Sequence, residues 1–135
     1  MIITVETKIK APIEQVWKFW TTPEHIINWN FATDEWCCPS AKNAFRSGGE
    51  FIWRMEAKDG SMGFDFKGKY DEIEVHKRIK YTLDDGRKTE ITFSSIGDST
   101  EIVESFEADN STSLDMQQIG WQSILNNFKK YAESI

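Results

Sequence analysis

The chain has 135 residues, a length that suits one domain and lets roughly two-thirds of the unfolded surface be buried without a metal or disulfide. Hydrophobic residues make up 39% and charged residues 28%, and 16 basic against 22 acidic side chains leave a formal charge of −6. That balance excludes nucleic acid as the main partner, because phosphate binding draws on clustered Lys and Arg. No run approaches the roughly 18 apolar residues of a membrane span, and the N-terminus lacks the apolar stretch of a secretory signal. Membrane insertion is therefore not expected, and the expected location is cytoplasmic.

In chain order, residues 2–10 read as a strand. Pro12 then stands where a first helical turn tolerates proline, and Ile13, Val16, Trp17 and Trp20 follow at the spacing of an amphipathic helix. Thr22-Pro23-Glu24 opens a second short helix ending near Trp29, with Thr22 as its cap. Residues 30–49 are the least regular part. From residue 50 the period becomes two, predicting strands at 50–57, 63–74, 77–84, 87–96 and 99–107. Asp59-Gly60 and Asp85-Gly86 supply hairpin turns, so consecutive strands are expected to be antiparallel. After a run of capping residues, Asp109-Asn110-Ser111, the residues Leu114, Trp121, Leu125, Phe128 and Ala132 predict a long closing helix with one apolar side. Strands followed by a covering helix, with no linker or repeat over residues 1–135, predict a single α+β domain.

Phe51, Trp53, Met55, Phe64, Phe66 and Tyr70 share one face of this sheet, and Asp65, Lys67, Lys69 and Asp71 the other. A sheet with one dry face requires a cover, for which the closing helix is the candidate. Alternation alone does not separate a filled core from the wall of a cavity. Gly68 leaves a gap in the apolar face, and Trp29, Phe31, Trp36 and Phe45 gather more bulk near one end.

The chemistry of catalysis is thinly represented. Cys37-Cys38 lacks the spacing and the partners of a metal site, with His25 and His76 the only histidines, so no metal or cofactor is expected. Gly63 to Lys69 matches G-x-x-x-x-G-K, but Tyr70 stands where a phosphate loop needs Ser or Thr, inside a strand pattern. Glu104 shares the strand parity of Ile102 and Phe106, which would point it inward. An inward carboxylate is costly, so the expectation is a strand-end irregularity that turns it to solvent. Gly120 beside Trp121 is expected to allow close approach of helix to sheet, or to relieve crowding by the indole.

Several short motifs, in this order and spacing, resemble one family. They are Ala11-Pro12, Val16-Trp17, Thr22-Pro23-Glu24-His25, Gly48-Gly49-Glu50-Phe51, Gly68-Lys69-Tyr70-Asp71-Glu72-Ile73, Arg78-Ile79-Lys80-Tyr81 and Gly120-Trp121. The chain resembles the START-like (SRPBCC, Bet v-like) superfamily and, within it, the family named after the activator of heat-shock protein 90 ATPase. The resemblance implies a helix-grip fold: a curved antiparallel sheet of six or seven strands wrapped on a long C-terminal helix, with two short helices after the first strand and an apolar cavity inside. It also implies a hydrophobic small molecule as partner, since relatives bind lipids, hormones or polyketide-like aromatics. A chaperone is the second partner it suggests. The eponymous activators engage theirs through an additional N-terminal domain, and with this sequence opening at a strand that role is not expected to carry over.

The leading expectation is thus a small-molecule binding domain. Trp29, Trp36, Trp53, Phe66, Trp121 and Phe128 are the expected lining, and Tyr70, Tyr81, His25, Cys37 and Cys38 the expected polar groups. The alternatives are a protein-interaction module, and an enzyme such as a cyclase or hydrolase, for which no convincing acid–base or nucleophile set is present.

Overall fold

The computed structural model describes residues 1–135. Seven strands form one curled antiparallel sheet: β1 (Ile2–Ile9), β2 (Trp36–Asn43), β3 (Glu50–Ala57), β4 (Gly63–Glu74), β5 (Arg78–Leu83), β6 (Lys88–Ile96) and β7 (Ser99–Glu107). Their spatial order is β1-β7-β6-β5-β4-β3-β2, so every neighbour after β1 is also a neighbour in sequence. Two short helices, α1 (Ile13–Thr21) and α2 (Pro23–Ile26), follow the first strand, and α3 (Leu114–Ser134) closes the chain. This is the α+β helix-grip arrangement.

Local chemistry accounts for most of the boundaries. Pro12 lies just ahead of α1 in extended conformation, and Val16, Trp17, Phe19 and Trp20 form its buried side. The second helix is shorter than its sequence suggests, and the Thr22 hydroxyl makes no capping bond. At the start of α3 the cap is Ser113, whose hydroxyl accepts from the Met116 amide. Asp109 instead shapes the preceding turn by accepting from the amides of Ser111 and Thr112.

The sequence reading left residues 30–49 without a strand, and here the structure corrects it. Strand β2 runs through Cys37-Cys38-Pro39, where the register with β3 shifts between Cys37 and Ser40. Proline removes a ladder donor and is confined to edges and irregularities. Because β2 is the outer strand of the sheet, it accommodates both Pro39 and the shift.

Gly68 is corrected as well. A Cβ there would sit 2.4 Å from the Thr82 carbonyl oxygen and 3.1 Å from the Phe51 ring. The position is a close approach of β4 to its neighbours, already filled, and contributes no void.

The core lies between the concave face of the sheet and the three helices, built around Phe51, Phe106, Phe128, Ile79, Ile91, Ile102 and Leu125. Of the strands, β1 is the one α3 approaches most closely. Toward the middle of the sheet the two diverge, and side chains have to bridge the widening gap.

Candidate functional site

That gap is incompletely filled. Between α3 and strands β3 to β7 lies a cavity of about 170 Å³ whose lining comprises 12 residues, 10 of them hydrophobic. Trp20 from α1, Tyr81 from β5 and Ile91 from β6 are buried at its base, together with Trp29 and Asn30 from the segment after α2. Met55 from β3 is buried beside them. Trp53, Phe64, Phe66, Trp121 and Ile124 stand around the mouth, half-buried except for the exposed Phe64.

The aromatic walls are ordered by one another. Trp53 stacks on Phe66, with centroids 5.6 Å apart and planes 6° from parallel. The Trp53 indole N–H donates to Asn43 Oδ1 at 2.7 Å, and the Asn43 amide nitrogen donates in turn to the Thr21 carbonyl at 2.9 Å. One asparagine on β2 thereby ties a mouth residue to the end of α1. At the base, Trp29 donates its indole N–H to the Phe19 carbonyl at 3.0 Å, and its ring meets Trp20 and Phe128 at 4.8 Å each.

The last lining residue is Glu104, and it overturns the expectation of a solvent-facing side chain. Strand β7 continues without irregularity through this position, pairing Glu104 with Val5 on β1 and Ile91 on β6. Strict alternation therefore carries the carboxyl inward, and only 6% of the residue is exposed. Burial, with no opposing hydrogen bond or positive charge, pushes its pKa up to about 8. The Tyr81 hydroxyl is raised well above its ordinary value by burial and by the Glu104 charge, while a hydrogen bond with Thr89 works the other way.

Five residues expected from the sequence as lining or polar groups thus border the cavity: Trp29, Trp53, Phe66, Tyr81 and Trp121. The other six do not. Phe128 packs behind Trp20 and Trp29. Tyr70 is buried between Phe45 and Phe51. Trp36 lies outside the mouth against Phe64, centroids 6.1 Å apart. His25 joins α2 to α3 through a 2.6 Å hydrogen bond between Nδ1 and the Tyr131 hydroxyl. Both cysteines are free thiols on the irregular stretch of β2. Cys38 is buried, which pushes its pKa up to about 11, and its sulfur lies 4.0 Å from the Asn30 amide nitrogen. The sequence reading did not assign Trp20, Asn30, Met55, Phe64, Ile91, Glu104 or Ile124 to the site. Strand parity carried the signal for Glu104, and a cost argument overrode it.

The model of the family described as "Activator of Hsp90 ATPase homolog 1-like protein" matches residues 10–133. The chain belongs to this family. Among solved structures, that of the AHSA1-like protein from Aeromonas hydrophila is 40% identical, covers 99% of this chain and 93% of its own, and superposes with a TM-score of 0.93. A protein from Cytophaga hutchinsonii is 50% identical over 98% of this chain and 92% of its own, with a TM-score of 0.85. A protein from Chromobacterium violaceum, at 22% identity, 98% coverage of both chains and a TM-score of 0.86, shares the fold. No protein of curated function matches the chain.

Within this AHSA1-like fold, no helix is long and apolar enough to cross a membrane. The functional chemistry on offer is an aromatic cavity with two polar groups, Asn30 and Glu104, at its base.

Proposed function

We propose that this AHSA1-like protein binds a compact aromatic molecule between α3 and the concave face of its sheet. The observation that supports the reading is the cavity of about 170 Å³, open at one mouth, with ten hydrophobic lining residues. Small-molecule sites are mostly apolar concavities with a few orienting polar groups, commonly of about 300–1,000 Å³. The cavity lies below that range and near the roughly 150 Å³ that holds a benzene ring. A single or fused pair of rings suits it, whereas a sterol or long acyl chain requires the mouth to open.

Calorimetric titration, with the tryptophan indole N–H resonances as a second readout, tests the proposal, because four of the six tryptophans border the cavity. Indole and naphthalene are expected to give saturable changes, and cholesterol none. Trp53→Ala, which widens the mouth and removes the stack on Phe66, is expected to weaken indole binding by about tenfold. A flat response to indole and naphthalene, or equal affinity in the folded Trp53→Ala protein, would refute the assignment.

A further inference from the structure

A buried carboxyl at the base of an aromatic cavity, with no partner from its own chain, is incomplete as it stands. Its cross-strand neighbours, Val5 and Ile91, are aliphatic, and α3 contributes Trp121 and Ile124 to the same cavity. No Lys, Arg or His is among the lining residues, and the titratable group that feels the carboxylate is Tyr81 on β5. The other polar lining residue, Asn30, has its amide nitrogen directed at Cys38 Sγ, leaving its amide oxygen as an acceptor. Both polar groups can therefore accept hydrogen bonds from a guest. Trp20, Trp29, Trp53, Phe66, Tyr81 and Trp121 line the same cavity with aromatic rings, whose faces attract cations and disfavour anions.

Resting on the binding function proposed above, we propose that the cavity selects a compact aromatic amine, its ring among the tryptophans and its ammonium group hydrogen-bonded to the Glu104 carboxylate. A neutral or anionic guest would leave the Glu104 carboxyl protonated and gain no charge pairing from it, whereas an ammonium group stabilises the carboxylate form. The net charge of −6 favours arrival of a cation.

The pairing has a proton balance. The carboxyl of the empty protein is held mostly protonated at pH 7 by burial, since its pKa is about 8. An arriving ammonium ion keeps its own proton, and Glu104 releases one to solvent as it becomes the carboxylate partner. Binding at pH 7 should therefore release about one proton per ligand, and affinity should rise between pH 6 and pH 9. Above that range the amine loses its charge and affinity falls again.

Calorimetric titration of the full chain at pH 8.5 with 2-phenylethylamine, 2-phenylethanol and 3-phenylpropanoate separates the charge types at nearly constant shape. The expected result is that the amine binds about tenfold or more tightly than the alcohol, with the acid weakest. Glu104→Gln, nearly isosteric and relieved of a buried charge, should retain the alcohol and lose the preference for the amine. Titrations at pH 7 in buffers of different ionisation enthalpy report proton release directly in the unaltered protein. Equal affinities for amine and alcohol, or a preference that survives Glu104→Gln, would overturn the amine assignment while leaving aromatic binding intact; no proton release would overturn the protonated resting state of the carboxyl alone. If none of the three binds the unaltered protein, and indole fails as well, both proposals fall.

Discussion

The Trp121 indole lies flat on the Phe106 ring, with centroids 3.8 Å apart and planes 11° from parallel. The contact fastens α3 to β7, two residues from Glu104, and so joins the main helix–sheet contact to the edge of the cavity. Truncating Trp121 to Ala removes this stack and the edge contact to Phe66, 6.0 Å away. A loss of about 3 kcal/mol is expected in urea unfolding, together with weakened indole binding. Trp121→Phe should recover most of the stability. Unchanged stability in the Ala variant would mean that the stack contributes nothing to holding the helix.

Glu104 predicts an unusual pH profile. Its carboxyl is raised from an ordinary 4.5 to about 8, so between those values the folded state holds a proton that the unfolded chain has released. Stability is therefore fullest below about pH 4.5 as far as this group is concerned, and declines as pH rises to 8. At about 1.36 kcal/mol per pKa unit the full decline is on the order of 4–5 kcal/mol. Asp59, Asp85, Asp109 and Glu133 are shifted down, so their contributions are lost at more acid pH and do not mask this window. Calorimetric melting at pH 5, 7 and 9 should show a falling Tm that flattens in Glu104→Gln. Parallel profiles for the two proteins would rule out a buried, unpaired carboxyl.

Two glycines should respond in opposite directions. A Cβ at Gly120 meets nothing within 4 Å, so neither the close approach of helix to sheet nor the crowding by the indole expected from the sequence arises at this position. Gly120→Ala should stabilise α3 by about 0.5–1 kcal/mol through reduced chain entropy. A Cβ at Gly49 would stand 1.9 Å from the Ala44 carbonyl oxygen, and Gly49→Ala should destabilise by several-fold more. Chemical denaturation midpoints of the two variants, compared with the parent protein, decide this.

The link between His25 and Tyr131 is structural and remote from the cavity. Tyr131→Phe removes the 2.6 Å hydrogen bond, and a loss of about 1 kcal/mol is expected. Indole affinity should not change. A shifted affinity would place His25 back among the groups that act on a ligand.

The two thiols should differ toward a disulfide reagent. Cys38 is buried with its pKa pushed up to about 11, so at pH 7.5 almost none of it is thiolate. Cys37 is half-buried and should react first, with the second equivalent appearing on unfolding. Thiol counting with and without denaturant tests the order; rapid labelling of both in the folded state would contradict it.

Periodicity alone made most of the architecture legible. Six of the seven strands, the first helix and the closing helix announce themselves because each buries one face, and burial at period two or 3.6 leaves a pattern in adjacent residues. Strand β2 left no such pattern. Its hydrogen bonding is settled by β3, and its Pro39 is tolerated because the strand is an edge. The motifs from Ala11-Pro12 to Gly120-Trp121 also carried the family, which depends on order and spacing along one chain.

The site is a different kind of object. Which tryptophans face a void and which fill the core depends on where α3 parts from the sheet, a distance between elements far apart in sequence. Trp29 and Phe128 are in ring contact, yet one borders the cavity and the other backs it. The alternation in β7 already pointed Glu104 inward. Tertiary structure decided that the inward space was empty enough to hold its carboxyl, because cavity volume is set by the packing of every element around it and is encoded in no single stretch of the chain.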